Sequence, residues 1–271
     1  MQDHDDSQDP RSGATYPTRI VCLGAELPDI FHRLDALDRV VGISAYTDWP
    51  PEALTIPKVS GFRHGRARRI LEADPDLVIL TSGVQRPLAE ELADHGVPLL
   101  HLYPHRLEDM FKTVRLLGSL VDAAARAQAL VEEWREVVAS YAERGRTRVG
   151  RPRVYFEEWM DPLIAGIGWV SDLIELAGGD DVFRARAIEG RNAAGRTLNL
   201  EEVAAARPDI ILASWCGKPF IREALVGRPG FGAIPAVARE AIVEIPPSIL
   251  QCGPRLMELL PVLEETIASH A

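Results

Sequence analysis

The sequence uses one phrase twice, and that repetition constrains its fold more than any other feature. Residues 68–83 read RRILEADPDLVILTSG and residues 201–216 read EEVAAARPDIILASWC. Aligned on Pro75 and Pro208, each is the end of an amphipathic helix, a Pro-Asp turn, an apolar strand, and a loop of small or aromatic residues. Strands buried on both faces of a parallel sheet read as unbroken Val/Ile/Leu runs, as these do. Two such helix-to-strand units, far apart in one chain, predict two similar α/β lobes. Two lobes predict a cleft, the usual place for a small molecule.

Strands alternating with helices over short loops extend this reading in both directions. In the first lobe the strands are 18–23, 39–44, 77–81 and 99–103, with helices over 25–37, before Pro75, and over 87–95. A helix from about Val121 to Glu143 follows, with Leu120, Ala124, Ala127, Leu130, Val131, Trp134, Val137, Val138 and Tyr141 at helical spacing. Such a helix spans roughly 35 Å and reads as a stiff connector. The second lobe has strands over 153–157, 210–213 and 242–245, helices over 170–177 and 200–206, a polar loop over 184–198, and a last helix from Pro254. The expected division is a tail over 1–18, an α/β lobe over 19–106, a connecting helical region over 107–146, and a second lobe over 147–271. No GxGxxG follows any strand, and LGAELPD after the first one does not supply it, so a dinucleotide site is disfavoured.

Charge narrows the partners. With 40 Asp+Glu against 30 Lys+Arg, the chain lacks the basic face that phosphate neutralisation needs, which argues against nucleic acid. The basic stretch RHGRARR (63–69) reads as a solvated helix start before an anion site. No apolar run reaches the length of a membrane span. The first residues, MQDHDDSQDPRSGATYPTR, lack the positive start and apolar segment of a signal peptide. The expectation is either a cytosolic protein or one whose export signal has been removed. Cys22, Cys216 and Cys252 have no metal-finger spacing.

The layout resembles the substrate-binding proteins of ABC importers for metal chelates, which carry cobalamin, haem and ferric siderophores. The resemblance covers residues 19–268. Asp48-Trp49-Pro50-Pro51-Glu52-Ala53, Glu158-Trp159-Met160-Asp161-Pro162-Leu163, Ala165-Gly166, Gly168-Trp169-Val170, Ala177-Gly178-Gly179 and Cys252-Gly253-Pro254-Arg255-Leu256 are similar to the cobalamin-binding subgroup. It implies a two-lobed α/β fold with parallel-type sheets joined by one long helix, and a monomer that captures a corrinoid for import or intracellular carriage. Periplasmic placement follows from the same resemblance, with a cytoplasmic one left open. It also implies an exposed Glu on each lobe, before the Pro-Asp turn, that pairs with arginines of a permease. Glu201 stands there in the second lobe, but the first has Arg68, a reversal that opposes the contact. A ferric siderophore or haem carrier, a tetrapyrrole enzyme, and a ligand sensor are the alternatives.

Ligands of parallel α/β lobes bind beyond the carboxyl ends of the strands. The loops there hold Tyr46, Trp49, Trp159, Trp169 and Trp215, suited to a broad, partly apolar ring. Trp49, Trp169 and Trp215 are the favoured contacts, while Trp159 fits the core equally well. Asp48, Asp161 and Arg255 are polar candidates for the ligand rim. Glu157, Glu158 and Asp161 gather carboxylates at one strand end, but no nucleophile or His accompanies them, so Glu158 is read as a ligand contact and the chain as a non-enzyme. Cys216 and Cys252 have three open readings: cleft-lining thiols, a disulfide, or soft metal ligands. His64 is the candidate axial ligand to a metal. His95 before Gly96 fits a helix C-terminus, and His101 and His105 read as structural. No intrinsic cofactor is expected.

Overall fold

The computed structural model describes residues 15–61, 67–147 and 150–270. The expected tail up to residue 14, His64, and the basic stretch up to residue 66 lie outside the described residues. The chain forms two compact units. One runs to Tyr103 and takes in Lys112–Leu130; the other comprises Pro104–Phe111 and the chain from Val131 onward.

The first unit contains strands β1 (Ile20–Cys22), β2 (Val40–Ser44), β3 (Lys58–Ser60), β4 (Leu77–Leu80) and β5 (Leu99–His101), with helices α1 (Leu27–Arg33), α2 (Ala67–Leu71) and α3 (Arg86–Asp94). The strands are all parallel, in the order β3-β2-β1-β4-β5. Strand order therefore reverses between β1 and β4, the place where such sheets open a crevice at their carboxyl edge. Val21, Leu23, Val78 and Leu80 pack on Ile70, Leu88 and Leu92 as a core cluster. The helix expected over 25–37 is shorter, because Asp35 takes a left-handed φ of 55°.

Two helices, α4 (Leu107–Leu120) and α5 (Ala124–Thr147), carry the chain through both units. The helix expected from Val121 starts at Ala124 because Asp122 is left-handed at φ 61° and breaks the run. Gly118 makes the tight reversal possible. A Cβ there would lie 2.4 Å from that of Ala127.

The second unit contains β6 (Arg153–Met160), β7 (Leu163–Ala165), β8 (Asp180–Asp181), β9 (Thr197–Leu198), β10 (Ile210–Ala213) and β11 (Ile242–Glu244). Its helices are α6 (Gly168–Leu176), α7 (Arg184–Glu189), α8 (Leu200–Ala206), α9 (Arg222–Val226), α10 (Pro235–Ala238) and α11 (Arg255–Ser269). The parallel trio β11-β10-β6 matches the reading from sequence. Beyond it β7 and β9 add antiparallel strands, making the sheet mixed. Both fall in segments too short for an alternation pattern to mark, and α7 and β9 occupy the stretch expected as a polar loop.

The repeated phrase closes in the same way in both units. Asp74 and Arg207 end their helices at φ 47° and 44°, a left-handed stop that the following Pro makes final. The next Asp then accepts from the residue that starts the neighbouring strand: Asp76 from the Arg19 amide (2.9 Å) and Asp209 from the Arg153 amide (3.0 Å). Each of those arginines turns back onto the helix end. Arg19 donates to the carbonyls of Ala73 and Asp74, and Arg153 to that of Ala206. Orphaned helix carbonyls are thus satisfied by the strand they precede in space. Asp76 also accepts from the Thr18 amide at 2.7 Å and its hydroxyl at 2.9 Å. Asp76→Ala is expected to destabilise the protein by about 1–2 kcal/mol, read as a lowered urea midpoint.

Candidate functional site

The carboxyl edge of the first unit's sheet is assembled from the segments that follow β1, β2, β4 and β5. Large side chains stay open to solvent in these segments, among them Tyr46 (57 % exposed), Trp49 (38 %), Val84 (43 %) and Tyr103 (45 %). Asp48 is exposed beside Trp49. The floor is held by buried Gln85. Its Oε1 accepts from the Thr81 and Ser82 amides, and its Nε2 donates to the Leu23 carbonyl at 2.9 Å, joining the ends of β1 and β4 at the crevice.

Two polar groups define this edge further. His101 Nε2 lies 2.8 Å from the Ser82 carbonyl, which must accept, so in the neutral ring Nδ1 carries the lone pair. Tyr103 stacks on the imidazole at 4.4 Å between centroids and gives its hydroxyl proton to that Nδ1 at 3.2 Å. Glu26 precedes α1 but does not cap it. Its carboxyl lies over Gly24 beside Thr81: a Cβ on Gly24 would sit 2.3 Å from Thr81 Oγ1 and 2.7 Å from Glu26 Oε1. Burial pushes this carboxyl above its ordinary range, against hydrogen bonds from its own backbone and from Thr81.

The second unit's edge is built around charge. Glu157, fully buried within β6, is paired with Arg228 (2.5 Å) and accepts from the Trp215 indole (2.8 Å) and the Tyr155 hydroxyl (3.1 Å). Burial and then that carboxylate push the Tyr155 phenol well up. Glu158 is held by Arg196, itself buried and bonded to the Ala165 carbonyl. Of the carboxylates grouped in the sequence, Glu157 and Glu158 are therefore each neutralised by an arginine.

The expected indoles divide accordingly. Trp215 is 2 % exposed, edge-on to Phe220, and bonded to Glu157; Trp169 is 7 % exposed and donates to the Ile249 carbonyl at 2.8 Å. Both rings are buried with each indole N–H bonded inside the unit, so of the three favoured indoles Trp49 is the one that stays open to solvent. Trp159 is half-buried and donates to the Asp161 carbonyl. Asp161 is exposed in the turn into β7, and Arg255 opens α11 half-buried. Asp161, Glu201, Met160, Leu163 and Arg228 line a surface depression of about 530 Å³. Arg68, at the position corresponding to Glu201, is exposed and pairs with Glu72 at 3.0 Å.

Cys216 is exposed while Cys252 is buried, with Sγ 3.9 Å from the Arg106 carbonyl. Among the described residues no three His, Cys, Asp or Glu are placed to hold a metal ion. His105 is buried and bonded to the Ile188 carbonyl at 2.9 Å, and burial lowers its pKa. His95 ends α3 ahead of left-handed Gly96. Sequence reasoning missed Glu26, Tyr103, Arg196 and Arg228. Tyr103 lies just past β5 and is reachable by the strand-end rule. The two arginines pair with partners 38 and 71 residues away and carry no local signal.

Residues 20–249 match the profile of the periplasmic binding protein family. The vitamin B12-binding protein of Vibrio parahaemolyticus is 26 % identical over 199 residues, covering 72 % of this chain and 70 % of that one. A periplasmic haem-binding protein from Pseudomonas aeruginosa superimposes with a TM-score of 0.79 at 22 % identity, over 94 % of each chain. The periplasmic vitamin B12-binding protein of Vibrio cholerae does so with a TM-score of 0.73 at 18 % identity, over 94 % of this chain and 98 % of that one.

Two outcomes test the electrostatics. Arg228→Met leaves Glu157 buried without its cation and is expected to cost about 3–5 kcal/mol in chemical denaturation, most of it recovered when Glu157→Gln is added. For Glu26, a folded-state pKa raised above the ordinary 4.5 means that stability is lost as pH rises through the raised value. Glu26→Gln, with no charge to bury, is expected to melt higher than the wild type at pH 7, with the gap closing below about pH 4.5.

Proposed function

This chain belongs to the periplasmic binding protein family, and on that premise we propose that it captures a corrinoid of the cobalamin type for ABC-type import. The reading rests on the open aromatic rings of Tyr46, Trp49 and Tyr103 at the carboxyl edge of a parallel sheet. A wide macrocycle gains most from such rings, which supply large contact area with few rotatable bonds. Relatives named for vitamin B12 binding support the corrinoid choice. Asp48 serves the polar rim of the ligand in this reading, and Glu201 on its surface depression serves a permease. Binding is favoured over catalysis because Glu157 and Glu158 are each occupied by an arginine, leaving that strand end without a poised acid and base.

A second reading, a ferric tetrapyrrole, is favoured by one specific observation. The Tyr103 hydroxyl already points its proton at His101 Nδ1, and a phenolate oxygen is an established haem-iron ligand. Haem-binding proteins among the structural neighbours fit this alternative.

Absorbance titration of the purified protein with cyanocobalamin and with haemin separates the readings. A corrinoid carrier is expected to bind cyanocobalamin more tightly, with Trp49→Ala and Tyr46→Ala each weakening it about tenfold. Tighter haemin binding that Tyr103→Phe abolishes turns the assignment to the ferric ligand. Binding of neither overturns both.

A further inference from the structure

We propose that Glu26 and Thr81 form a polar anchor that selects the ligand by its rim, accepting a carboxamide in preference to a carboxylate. The inference deepens the corrinoid reading and rests on it.

Glu26 follows β1 and Thr81 follows β4, so the two side chains meet where strand order reverses and a parallel sheet receives ligands. Gly24 has no Cβ, and the room this leaves is taken by the Glu26 carboxyl and the Thr81 hydroxyl. Gln85 satisfies the nearby backbone groups, bonding the Thr81 and Ser82 amides and the Leu23 carbonyl. Neither half-buried side chain is consumed by the floor beneath it.

Most of the other sheltered carboxylates are held by a cation, while buried Asp181 accepts from the Phe183 amide. Glu157 and Glu158 are each neutralised by an arginine, Arg228 and Arg196. Asp29 has Arg33, and Asp172 has Arg106 and Arg184. Among the described residues no ion pair joins Glu26, and its helix takes no cap bond from it. A sheltered carboxyl without cation or capping duty costs stability unless something else uses it.

A primary amide both donates and accepts, so it pairs with the carboxyl in either protonation state: two mutual hydrogen bonds to the neutral acid, one N–H to the ionised form. A ligand carboxylate pairs only with the neutral acid and is repelled by the ionised one. The Thr81 hydroxyl bonds the Glu26 carboxyl and keeps a lone pair that can accept from a ligand N–H. Corrinoids are rimmed with amides and haem with carboxylates, so this anchor sorts between the two.

The experiment titrates wild type, Glu26→Gln, Glu26→Ala and Thr81→Val with cyanocobalamin and haemin at pH 8, which favours the ionised carboxyl. Thermal melting of each variant establishes folding. Glu26→Ala is expected to weaken cyanocobalamin about tenfold, and Thr81→Val about threefold. Glu26→Gln is expected to keep cyanocobalamin within about twofold while tightening haemin, since the amide removes the repulsion but still donates. Equal cyanocobalamin affinity in wild type and a folded Glu26→Ala overturns the anchor and leaves the corrinoid reading standing. An unchanged haemin-to-cyanocobalamin ratio in Glu26→Gln overturns the selectivity. Failure of the wild type to bind either probe overturns the ligand reading and the anchor together.

Discussion

The reciprocal clasp of an arginine and an aspartate around a Pro turn holds each unit's sheet in register. In each unit a helix stops in a left-handed residue, a Pro prevents its continuation, and the next Asp takes the amide that begins the central strand. The arginine of that strand returns to the helix carbonyls. Asp76 and Asp209 also donate their own amides to the Arg19 and Arg153 carbonyls, at 3.0 and 2.7 Å. The clasp fixes where β1 begins against β4 and β6 against β10. Register fixed at the amino end determines which residues emerge at the carboxyl end, so the functional edges inherit their composition from interactions at the opposite edge.

The two edges built this way differ in kind. In the first unit apolar rings stay open and, among the described residues, no ion pair joins the sheltered Glu26 carboxyl. In the second, charge is compensated internally: Glu157 by Arg228, Glu158 by Arg196, Asp172 by Arg106. Buried pairs of this type contribute little net stability over apolar residues of the same shape, yet breaking one is costly. Their effect is to fix geometry. The Trp215 loop is tied to β6 both by the indole bond to Glu157 and by the Ser214 amide on the Glu157 carbonyl.

Much of the fold was legible in the sequence because parallel strands leave an unambiguous trace. The runs at 77–80 and 210–213, the Pro-Asp turns and the Gly after His95 each report a local backbone requirement. Elements of two or three residues, such as β7 and β9, do not, since a periodic pattern needs more length to register. The candidate site was legible only as a set of loops. Strand-end position brought out Tyr46, Asp48 and Trp49, but position says nothing about direction. Trp215 lies in the expected loop and Trp169 in the first turn of α6, and they turn inward to Glu157 and to the Ile249 carbonyl. Glu26 carries no signal in LGAELPD, where the missing Cβ of Gly24 makes room for a side chain instead of a phosphate.

The distance in sequence between Glu157 and Arg228 has a consequence for assembly. Local contacts form early in folding, whereas those closing long loops wait on chain entropy. During synthesis β6 leaves the ribosome 71 residues before the guanidinium that neutralises its end, and until then the carboxylate keeps its water. The strand therefore acquires a dry, paired Glu157 only once Arg228 has docked on it.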